Sequence, residues 1–517
     1  MRRVFKSLLL TALGSLIMTG CGQSSNSEAV SSLSEETKIN TKFVFSSSDL
    51  VQSSFGGLGV EWGVYEDTDK LSDFSKKRIY ENIKRLNPVR IRCMINYDWF
   101  VEDFDDKGDQ DKTNDTWSYN FANKWGDNLT ELLTYCQEHN IQVAFGSWNV
   151  VGTLENDVWN MMEEATADVR WAKMSAHVMD YLVNTKGFNC IRWFINGNEP
   201  NYLGVKGSSK NWNNSLAKWE QGVKNVRAAL DEKGLSQIGI VGGDTTGFDG
   251  TDEYFSGIAK DCKDKVADYG AHLYLSNYYI DGGQVLDNIN TLNAKIKAID
   301  EGYGTSRPLD IWESGLLDGK NAETDGNSLI KTVSYGIRMA DFTIQAALGG
   351  VNGICYWDFD DGMNFMYSSG TPIPKRWGMF SSLASDQAFD QGLRPWYHSS
   401  LMLTNLLRPG SKIYGSVYND RKIDKDFRAL GVIQKDNKNG GIVAVNRGAE
   451  DVEKTFRLDD KVDSDGKLYI YLFGEGTIRL GEDGFILPNY TIDGSLNKNL
   501  TVKIPANTLL VVSSEAF

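Results

Sequence analysis

Trp193-Phe194-Ile195-Asn196-Gly197-Asn198-Glu199-Pro200-Asn201 runs from an apolar, aromatic segment into a turn, and a glutamate stands at the transition. Leu309-Asp310-Ile311-Trp312-Glu313-Ser314-Gly315 repeats this arrangement further along the chain. Both stretches are typical of a buried strand that gives way to a loop. Between Glu199 and Glu313 the chain has room for roughly three βα units of about 35–40 residues each, the size implied by a parallel barrel of about 250 residues or more. The spacing therefore predicts that the two glutamates end the fourth and seventh strands of one barrel.

Apolar, β-branched runs recur through most of the chain and alternate with segments of helical spacing, which predicts an α/β fold with a parallel sheet. The predicted strands are 57–62, 89–95, 142–148, 190–197, 238–243, 269–275, 309–313 and 353–357. The predicted helices between them include 72–86, 125–139, 168–185, 215–233, 287–301 and 328–348. Eight such strands indicate a closed (β/α)8 TIM barrel, which we assign to residues 42–405.

From about residue 406 the pattern changes to short alternating runs with turn signals about every ten residues, which is typical of an antiparallel β-sandwich. The predicted strands are 412–417, 427–434, 440–446, 467–472, 500–504 and 508–513. Residues 406–517 are therefore predicted to form a separate β-sandwich domain after the barrel.

The first residues resemble a bacterial lipoprotein signal. A basic start is followed by an apolar stretch at 8–18 and by Thr19-Gly20-Cys21, a small-residue cleavage site that ends in cysteine. The resemblance implies a signal peptide at 1–21, an acylated Cys21 as membrane anchor, and a flexible tether at 22–41. The expected location is the cell envelope, at the outer membrane or cell surface. A plain secretory signal with a chance cysteine is the alternative.

Composition restricts the possible partners. The 517-residue chain is 41% hydrophobic, so it can bury a large core, and its formal net charge is −15. This charge argues against nucleic acid, because phosphate neutralisation needs clustered Lys and Arg, whereas a neutral glycan is compatible. The remaining cysteines lack close pairs and are interpreted as buried core thiols: Cys93, Cys136, Cys190, Cys262 and Cys355. We expect no cofactor, no metal site and a monomer.

Two glutamates at the ends of different strands of one barrel suit one particular chemistry. Cleaving a glycosidic bond with retention of configuration requires a carboxylic acid and a carboxylate about 5–5.5 Å apart. The carboxyl ends of the strands converge in a parallel barrel, so Glu199 and Glu313 can meet that requirement. Taken singly, each segment is also compatible with an ordinary helix start, in which Asn198 is an N-cap followed by Glu199 and Pro200.

Four motifs in register resemble retaining glycoside hydrolases of clan A, whose fold is a TIM barrel. These are Asn198-Glu199-Pro200 after the fourth strand, His272-Leu273-Tyr274 on the sixth, Ile311-Trp312-Glu313-Ser314-Gly315 on the seventh and Ile354-Cys355-Tyr356-Trp357 on the eighth. The resemblance spans about residues 55–396. The trailing β-domain resembles the sandwich of clan members such as families thirty and thirty-nine.

The resemblance implies roles for the two glutamates. Glu199 would be the general acid and then the general base, and Glu313 the nucleophile. Glu313 should then be kept ionised by a nearby cation, and burial together with that negative charge should raise the pKa of Glu199. The clan pattern places an arginine beside the nucleophile. Arg90 aligns best, and Arg92 lies on the same face of the strand two residues on.

The resemblance also implies substrate contacts. Tyr274 would donate to Glu313 with His272 nearby, although a lone strand histidine is also compatible with a core role. Asn198 would hydrogen bond a sugar hydroxyl, and Trp357 would form the platform under the sugar. The third strand lacks the histidine of several clan families, and Trp148 and Asn149 are expected to line the cleft instead. Glu61 is either a substrate ligand or an ordinary loop acid.

The predicted function is a retaining β-glycoside hydrolase that acts on a polysaccharide or oligosaccharide. Aromatic residues in the strand-to-helix loops favour endo action: Trp62, Tyr97, Trp99, Trp148, Tyr202, Tyr278 and Tyr279. An exo-acting β-glycosidase remains an alternative. So do a catalytically inactive glycan-binding surface lipoprotein, a transglycosylase with the same residues, and an inverting hydrolase.

Overall fold

The computed structural model describes residues 42–65, 73–96, 99–101, 118–149, 167, 169–201, 212–248, 251–368, 371–383, 392–415, 425–460, 462 and 466–517. The predicted signal peptide, the tether and Cys21 lie outside these residues and stay predictions. Within the described part of the chain, no helix has the length and apolar character needed to cross a membrane.

Strands and helices alternate through the first three quarters of the chain. The strands are β1 (Lys42–Phe45), β2 (Leu50–Phe55), β3 (Gly57–Glu61), β4 (Arg90–Asn96), β5 (Gln142–Asn149), β6 (Ile191–Ile195), β7 (Gly239–Ile240), β8 (Thr245–Thr246), β9 (Tyr269–Leu275), β10 (Leu309–Leu316), β11 (Lys320–Asn321), β12 (Gly326–Asn327), β13 (Gly353–Tyr356), β14 (Phe365–Ser368), β15 (Thr371–Pro374), β16 (Ser411–Gly415), β17 (Phe427–Ile433), β18 (Gly440–Asn446), β19 (Val452–Leu458), β20 (Lys467–Phe473), β21 (Tyr490–Asp493), β22 (Leu500–Ile504) and β23 (Thr508–Ser513). The helices are α1 (Asp73–Leu86), α2 (Lys124–Glu138), α3 (Val169–Asp180), α4 (Trp212–Glu232), α5 (Thr251–Asp261), α6 (Asn277–Asp281), α7 (Gln284–Tyr303), α8 (Val333–Leu348) and α9 (Pro395–Leu406).

Nine parallel strands form one curled half-barrel, in the order β7-β6-β5-β4-β3-β13-β10-β9-β8. Its two edge strands, β7 and β8, are separated in the chain only by Val241–Asp244. This arrangement agrees with the predicted TIM barrel. Of the fifth predicted strand, 238–243, only residues 239–240 form a strand, and β8 lies beyond it at 245–246. Between β7 and β8, Gly243 has φ +104, a conformation that only glycine adopts without strain.

The barrel strands are largely apolar because helices cover the outside of the sheet and side chains fill its interior. Every residue of β10 is buried. One interior layer takes a side chain from each of several strands and separates the two ends of the barrel: Met94, Ala144, Ile195, Val241, Trp312 and Cys355. The five cysteines predicted to be core thiols are buried and free, which confirms that interpretation.

The C-terminal part contains two further sheets, so the predicted C-terminal sheet domain is present. A seven-stranded antiparallel sheet has the order β2-β16-β17-β18-β23-β20-β21, and a three-stranded sheet has the order β1-β19-β22. Their facing sides share a core that includes Phe43, Phe456 and Leu510. The predicted purely antiparallel pairing is wrong at one place, because β1 pairs with β19 in parallel.

The predicted boundary of the barrel at residue 42 is also wrong, because β1 and β2 belong to the C-terminal sheets. From residue 42 on, the described chain therefore begins in the sheet domain, passes through the barrel and returns to the sheets after α9. Little in the local sequence indicates this path. Most of β2 is exposed or half-buried, so it lacks the apolar alternation of a half-buried strand. Residues 42–517 form one compact unit.

Candidate active site

The two glutamates lie toward the carboxyl side of the curled sheet. Glu199 follows the end of β6 by four residues, and Glu313 lies inside β10, three residues before its end, so β10 is longer than the predicted strand 309–313. Glu199 has φ +47 and follows Gly197, which has φ +91, so the chain turns sharply after β6. The backbone N–H of Glu199 donates to the carbonyl of Asp244 at 3.1 Å, which fixes this turn against the segment between β7 and β8. Side-chain oxygens of Glu199 and Glu313 lie within 4.8 Å of each other.

Arg92 connects the acids of this site. Its Nη1 donates to Glu313 Oε1 at 2.6 Å and to Glu61 Oε2 at 3.1 Å. Its Nη2 donates to Asn198 Oδ1 at 2.7 Å and to Asp244 Oδ2 at 3.0 Å. The guanidinium is fully buried, so these charge-assisted hydrogen bonds act in a medium of low dielectric constant. Asn198 accepts through its oxygen, so its amide NH₂ points away from Arg92.

His272 lies on β9 and bridges two carboxylates. Its Nδ1 is 3.0 Å from Glu199 Oε1, and its Nε2 is 2.9 Å from Asp244 Oδ1. The same Nδ1 is 3.5 Å from Glu313 Oε2. Both ring nitrogens donate in the imidazolium form, which two carboxylate acceptors favour. Burial opposes this charge, but Asp244 and Glu313 outweigh it and raise the pKa of His272 to about 10.

This bridge reverses the expected order of acidities in the unliganded protein. Burial acts to raise the pKa of Glu199, but the hydrogen bond and the charge of His272 outweigh it and hold that pKa below its usual value. Burial raises the pKa of Glu313 against the opposing charges of His272 and Arg92. The expectation that Glu199 carries the raised pKa is therefore wrong, because the proton resides on His272.

Two further predicted residues lie beside Glu313. The hydroxyl of Tyr274 donates to Glu313 Oε2 at 2.7 Å, as the resemblance implied. Trp357 follows β13, and its backbone N–H donates to the carbonyl of Ser314 at 3.0 Å, one residue after the glutamate. The indole of Trp357 is 5% exposed, so only a small part of its surface is open to a ligand.

Arg90 is not part of this cluster. It is the first residue of β4 and lies at the amino end of the barrel, where its Nη1 donates to Asp310 Oδ1 at 2.6 Å. Indole rings of Trp193 and Trp312 lie 5.3 and 5.2 Å from its guanidinium carbon. Arg90 and Arg92 share one face of the strand, as alternation predicts, but they belong to different layers of the barrel.

The side chains of Trp148 and Asn149 fall outside what the structure describes; the backbone of both residues belongs to the end of β5. Among the aromatic residues expected in the loops, Trp62 is buried and Trp99 stacks on Trp125 with ring centroids 4.4 Å apart. Tyr278 and Tyr279 are exposed. Most of the remainder fall among residues that are not described.

Sequence reasoning missed Asp244 and left Glu61 undecided. Asp244 has φ +50 and contacts both Arg92 and His272. A signal was available, because an acid at the end of the fifth predicted strand matches the pattern that identified Glu199. Glu61 is the last residue of β3 and is buried against Arg92. Burial raises its pKa to about 8, although the charge of Arg92 opposes the rise.

Glu199, His272 and Glu313 are also the described group whose ligand atoms lie close enough to hold a metal ion. A metal ligand must be a neutral imidazole with one nitrogen available. Both nitrogens of His272 face carboxylates, and its pKa of about 10 keeps it protonated near neutral pH. The arrangement therefore suits the transfer of a proton better than the binding of a cation.

No protein-family model matches the chain, and no curated protein sequence matches it. Solved structures match its fold. A GH30 endoxylanase from Clostridium papyrosolvens C71 is 14% identical, with a TM-score of 0.57 and coverage of 91% of this chain and 99% of that one. A GH39 β-xylosidase from Caulobacter crescentus is also 14% identical, with a TM-score of 0.55 and the same coverage.

A family 51 α-L-arabinofuranosidase from Bifidobacterium longum, AbfB, is 11% identical, with a TM-score of 0.57 and coverage of 91% of this chain and 99% of that one. These matches extend over nearly the full length of each chain. At such identities they show a shared fold, in which a TIM barrel and a sheet domain occur together.

Proposed function

We propose that this protein is a retaining β-glycoside hydrolase that cleaves a polysaccharide or oligosaccharide internally. The observation that carries the proposal is the separation of Glu199 and Glu313, whose oxygens lie within 4.8 Å. Retaining enzymes hold their two carboxyl groups about 5–5.5 Å apart, whereas inverting enzymes need about 6.5–9.5 Å to admit a water molecule. The similarity in fold to glycoside hydrolases supports the same conclusion.

In the first step, Glu313 attacks the anomeric carbon and the bond from that carbon to the leaving oxygen breaks. Arg92 and Tyr274 each donate to one oxygen of Glu313, which orients the carboxylate for attack. The leaving oxygen takes a proton from Glu199. Because the proton resides on His272 in the unliganded protein, it reaches Glu199 Oε1 across the 3.0 Å contact from Nδ1.

In the second step, water attacks the anomeric carbon and the bond to Glu313 breaks. Glu199 accepts the proton of that water and shares it again with His272, which restores the starting state. The amide NH₂ of Asn198 would donate to a sugar hydroxyl, and Trp357 would contact the sugar ring. Trp148 and Asn149 are proposed to line the same cleft.

The proposal also includes the number of strands in the barrel and the location of the protein at the cell envelope. We infer that β7 and β8 are two halves of one strand, since β7 pairs with β6 and β8 pairs with β9. The barrel is then (β/α)8. We also propose that lipidated Cys21 anchors a monomeric enzyme at the envelope, with residues 22–41 as its tether.

The decisive experiment is covalent trapping with a 2-fluoro aryl glycoside of the sugar that a polysaccharide panel identifies. Intact-mass spectrometry should show one added glycosyl group on the parent protein and none on Glu313→Ala. Glu199→Ala should lose far more activity on polysaccharide than on an aryl glycoside with a good leaving group, because the latter needs little protonation.

Glu301→Ala is the matched control, since Glu301 is an exposed glutamate near the end of α7. It should be labelled like the parent protein. Labelling of Glu313→Ala at the parent rate would show that the nucleophile is another residue.

A further inference from the structure

Helix α6 presents two tyrosines to solvent beside the candidate active site. Tyr278 is 71% exposed and Tyr279 is 41% exposed, and their rings meet edge to face with centroids 5.8 Å apart. Tyr278 has the largest exposed fraction among the large hydrophobic side chains of the described residues. Two adjacent exposed aromatic rings present a surface on which a ligand ring can pack.

This pair lies at the carboxyl end of the barrel. Helix α6 follows β9, the strand that carries His272 and Tyr274. Tyr278 is four residues beyond Tyr274, so the two α-carbons are at most about 14 Å apart. The neighbouring loop after β10 adds Leu317, which is 44% exposed and donates its N–H to the carbonyl of Leu275 at 2.9 Å. The tyrosines and Leu317 therefore follow directly on β9 and β10, the strands that carry His272, Tyr274 and Glu313.

Helix α6 is fixed by polar contacts at both of its ends, before and after the tyrosines. The N–H of Asn277 donates to Asp318 in the loop after β10. At the other end, Asp281 accepts from Arg338 of α8 at 2.9 Å and from Arg447 of the sheet domain at 2.7 Å.

Ile280 between them is buried, and its carbonyl accepts from Gln345 and from Arg428 of the sheet domain. The helix is therefore ordered before any ligand arrives, which lowers the entropic cost of binding.

We propose that Tyr278 and Tyr279 form an outer sugar-binding subsite, which holds a neutral polysaccharide chain beyond the bond that is cleaved. This inference rests on the proposed function. The apolar face of a pyranose ring packs on an aromatic ring, and the two perpendicular rings offer a face and an edge to one sugar unit. A neutral chain is favoured because the protein has a net charge of −15, which disfavours an anionic chain, and because Arg338 and Arg447 are already paired with Asp281. The sheet domain supports the subsite through Arg428 and Arg447.

The test compares a double variant, Tyr278→Ala with Tyr279→Ala, with a control at the opposite end of the barrel. Tyr303 is a 40% exposed tyrosine at the end of α7, which precedes β10, so Tyr303→Ala removes a similar ring far from the cleft. For each protein, kcat/KM is measured on the polysaccharide that the panel identifies and on the aryl glycoside of its monosaccharide. The ratio of the two should fall about 10-fold in the double variant, as expected when aromatic rings are removed from a binding site, and stay at the parent value in Tyr303→Ala.

Retardation of the unreacted proteins in a gel that contains the same polysaccharide gives a second readout that needs no turnover. Retardation should be weaker for the double variant than for the control. An unchanged ratio, or an equal fall on both substrates, would overturn the subsite. A change in the oligomeric mass of the double variant, measured by light scattering, would also overturn it. The tyrosines would then form a contact between copies of the chain. If the parent protein cleaves nothing, the proposed function fails, while tyrosine-dependent retardation would still support the subsite.

Discussion

The two ends of the barrel each bury an arginine from β4 in very different surroundings. At the carboxyl end, Arg92 donates to three carboxylates and one amide oxygen. At the amino end, Arg90 pairs with Asp310 alone among the carboxylates and is covered by two indole rings. Burial and the charge of Asp310 raise the pKa of neighbouring Asp268 to about 8, so Asp268 is neutral at neutral pH. The buried charges cancel at the amino end, whereas negative charge exceeds positive charge at the carboxyl end.

The backbone does not show the same contrast. Glu199 and Asp244 adopt positive φ at the carboxyl end, and Asn87 and Asn140 do so just before β4 and β5 at the amino end. The difference between the two ends therefore lies in their side chains. Crowded acids in one place and balanced charges in another are typical of a functional site supported by a structural one. Replacing Arg92 is therefore expected to lower activity, and replacing Arg90 is expected to lower stability.

Arg92→Met is expected to have the largest effect on activity. It removes a hydrogen bond from Glu313 and the cation that balances Asp244, and kcat/KM should fall by about 10²–10³-fold, as when one donor is lost from a preorganised site. The measurement is steady-state kinetics on the aryl glycoside, together with circular dichroism to establish the folded fraction. A fall of less than about threefold in a folded variant, well below that range, would remove Arg92 from the mechanism.

Arg90→Met should affect stability instead. It leaves Asp310 as a buried charge without its cation, which costs about 3–5 kcal/mol of unfolding free energy. Chemical denaturation measures that loss. At 25 °C the kcat/KM of the folded variant should stay within a few-fold of the parent value, because Arg90 touches none of the acids at the carboxyl end of the barrel. If activity fell while stability stayed intact, the division between the two ends would be wrong.

Most of the fold could be predicted because buried parallel strands are long apolar runs that stand out from amphipathic helices. The predicted strand 269–275 coincides with β9, and 142–148 with all but the last residue of β5. The failures have local causes. Only residues 239–240 of the fifth predicted strand are strand, and the chain turns at Gly243 just beyond them. Strands β1 and β2 are short or exposed, and their partners lie hundreds of residues away, so no local pattern marks them.

The same distinction between local and long-range features applies to the candidate site. Glu199 and Glu313 could be found because each is a single acid within or just after an apolar run, which is a local feature, although β10 continues three residues beyond Glu313. Alternation placed Arg90 and Arg92 on one face, but the layer that each occupies depends on the register between β4 and its neighbours. The pKa order could not be predicted, because it depends on His272 meeting two carboxylates from other strands.

Asp244→Asn should move the pH profile without abolishing activity. After the opposing effect of burial, the charge of Asp244 is the main reason that the pKa of His272 is raised to about 10. Without that charge His272 loses its proton at lower pH, so the alkaline limb of kcat/KM should move down by about one pH unit or more. Asp268→Asn, at the amino end, is the control and should leave the limb in place. An unmoved limb in Asp244→Asn would show that His272 does not supply the proton.

The smallest expected effect compares one neutral acid from each end. Glu61 and Asp268 both have a pKa of about 8 in the folded protein, well above their ordinary values of 4.5 and 3.8. Between about pH 4.5 and 8 the folded protein binds protons that the unfolded chain releases, so these groups make stability fall as pH rises. Glu61→Gln and Asp268→Asn remove that dependence.

The unfolding free energy of each variant, relative to that of the parent protein, should therefore be larger at about pH 8 than at about pH 5. Urea denaturation at both pH values measures this difference. A gain for Asp268→Asn alone would show that Arg92 keeps Glu61 ionised. The carboxyl end would then carry one more negative charge than its geometry suggests, and the contrast between the two ends would be sharper still.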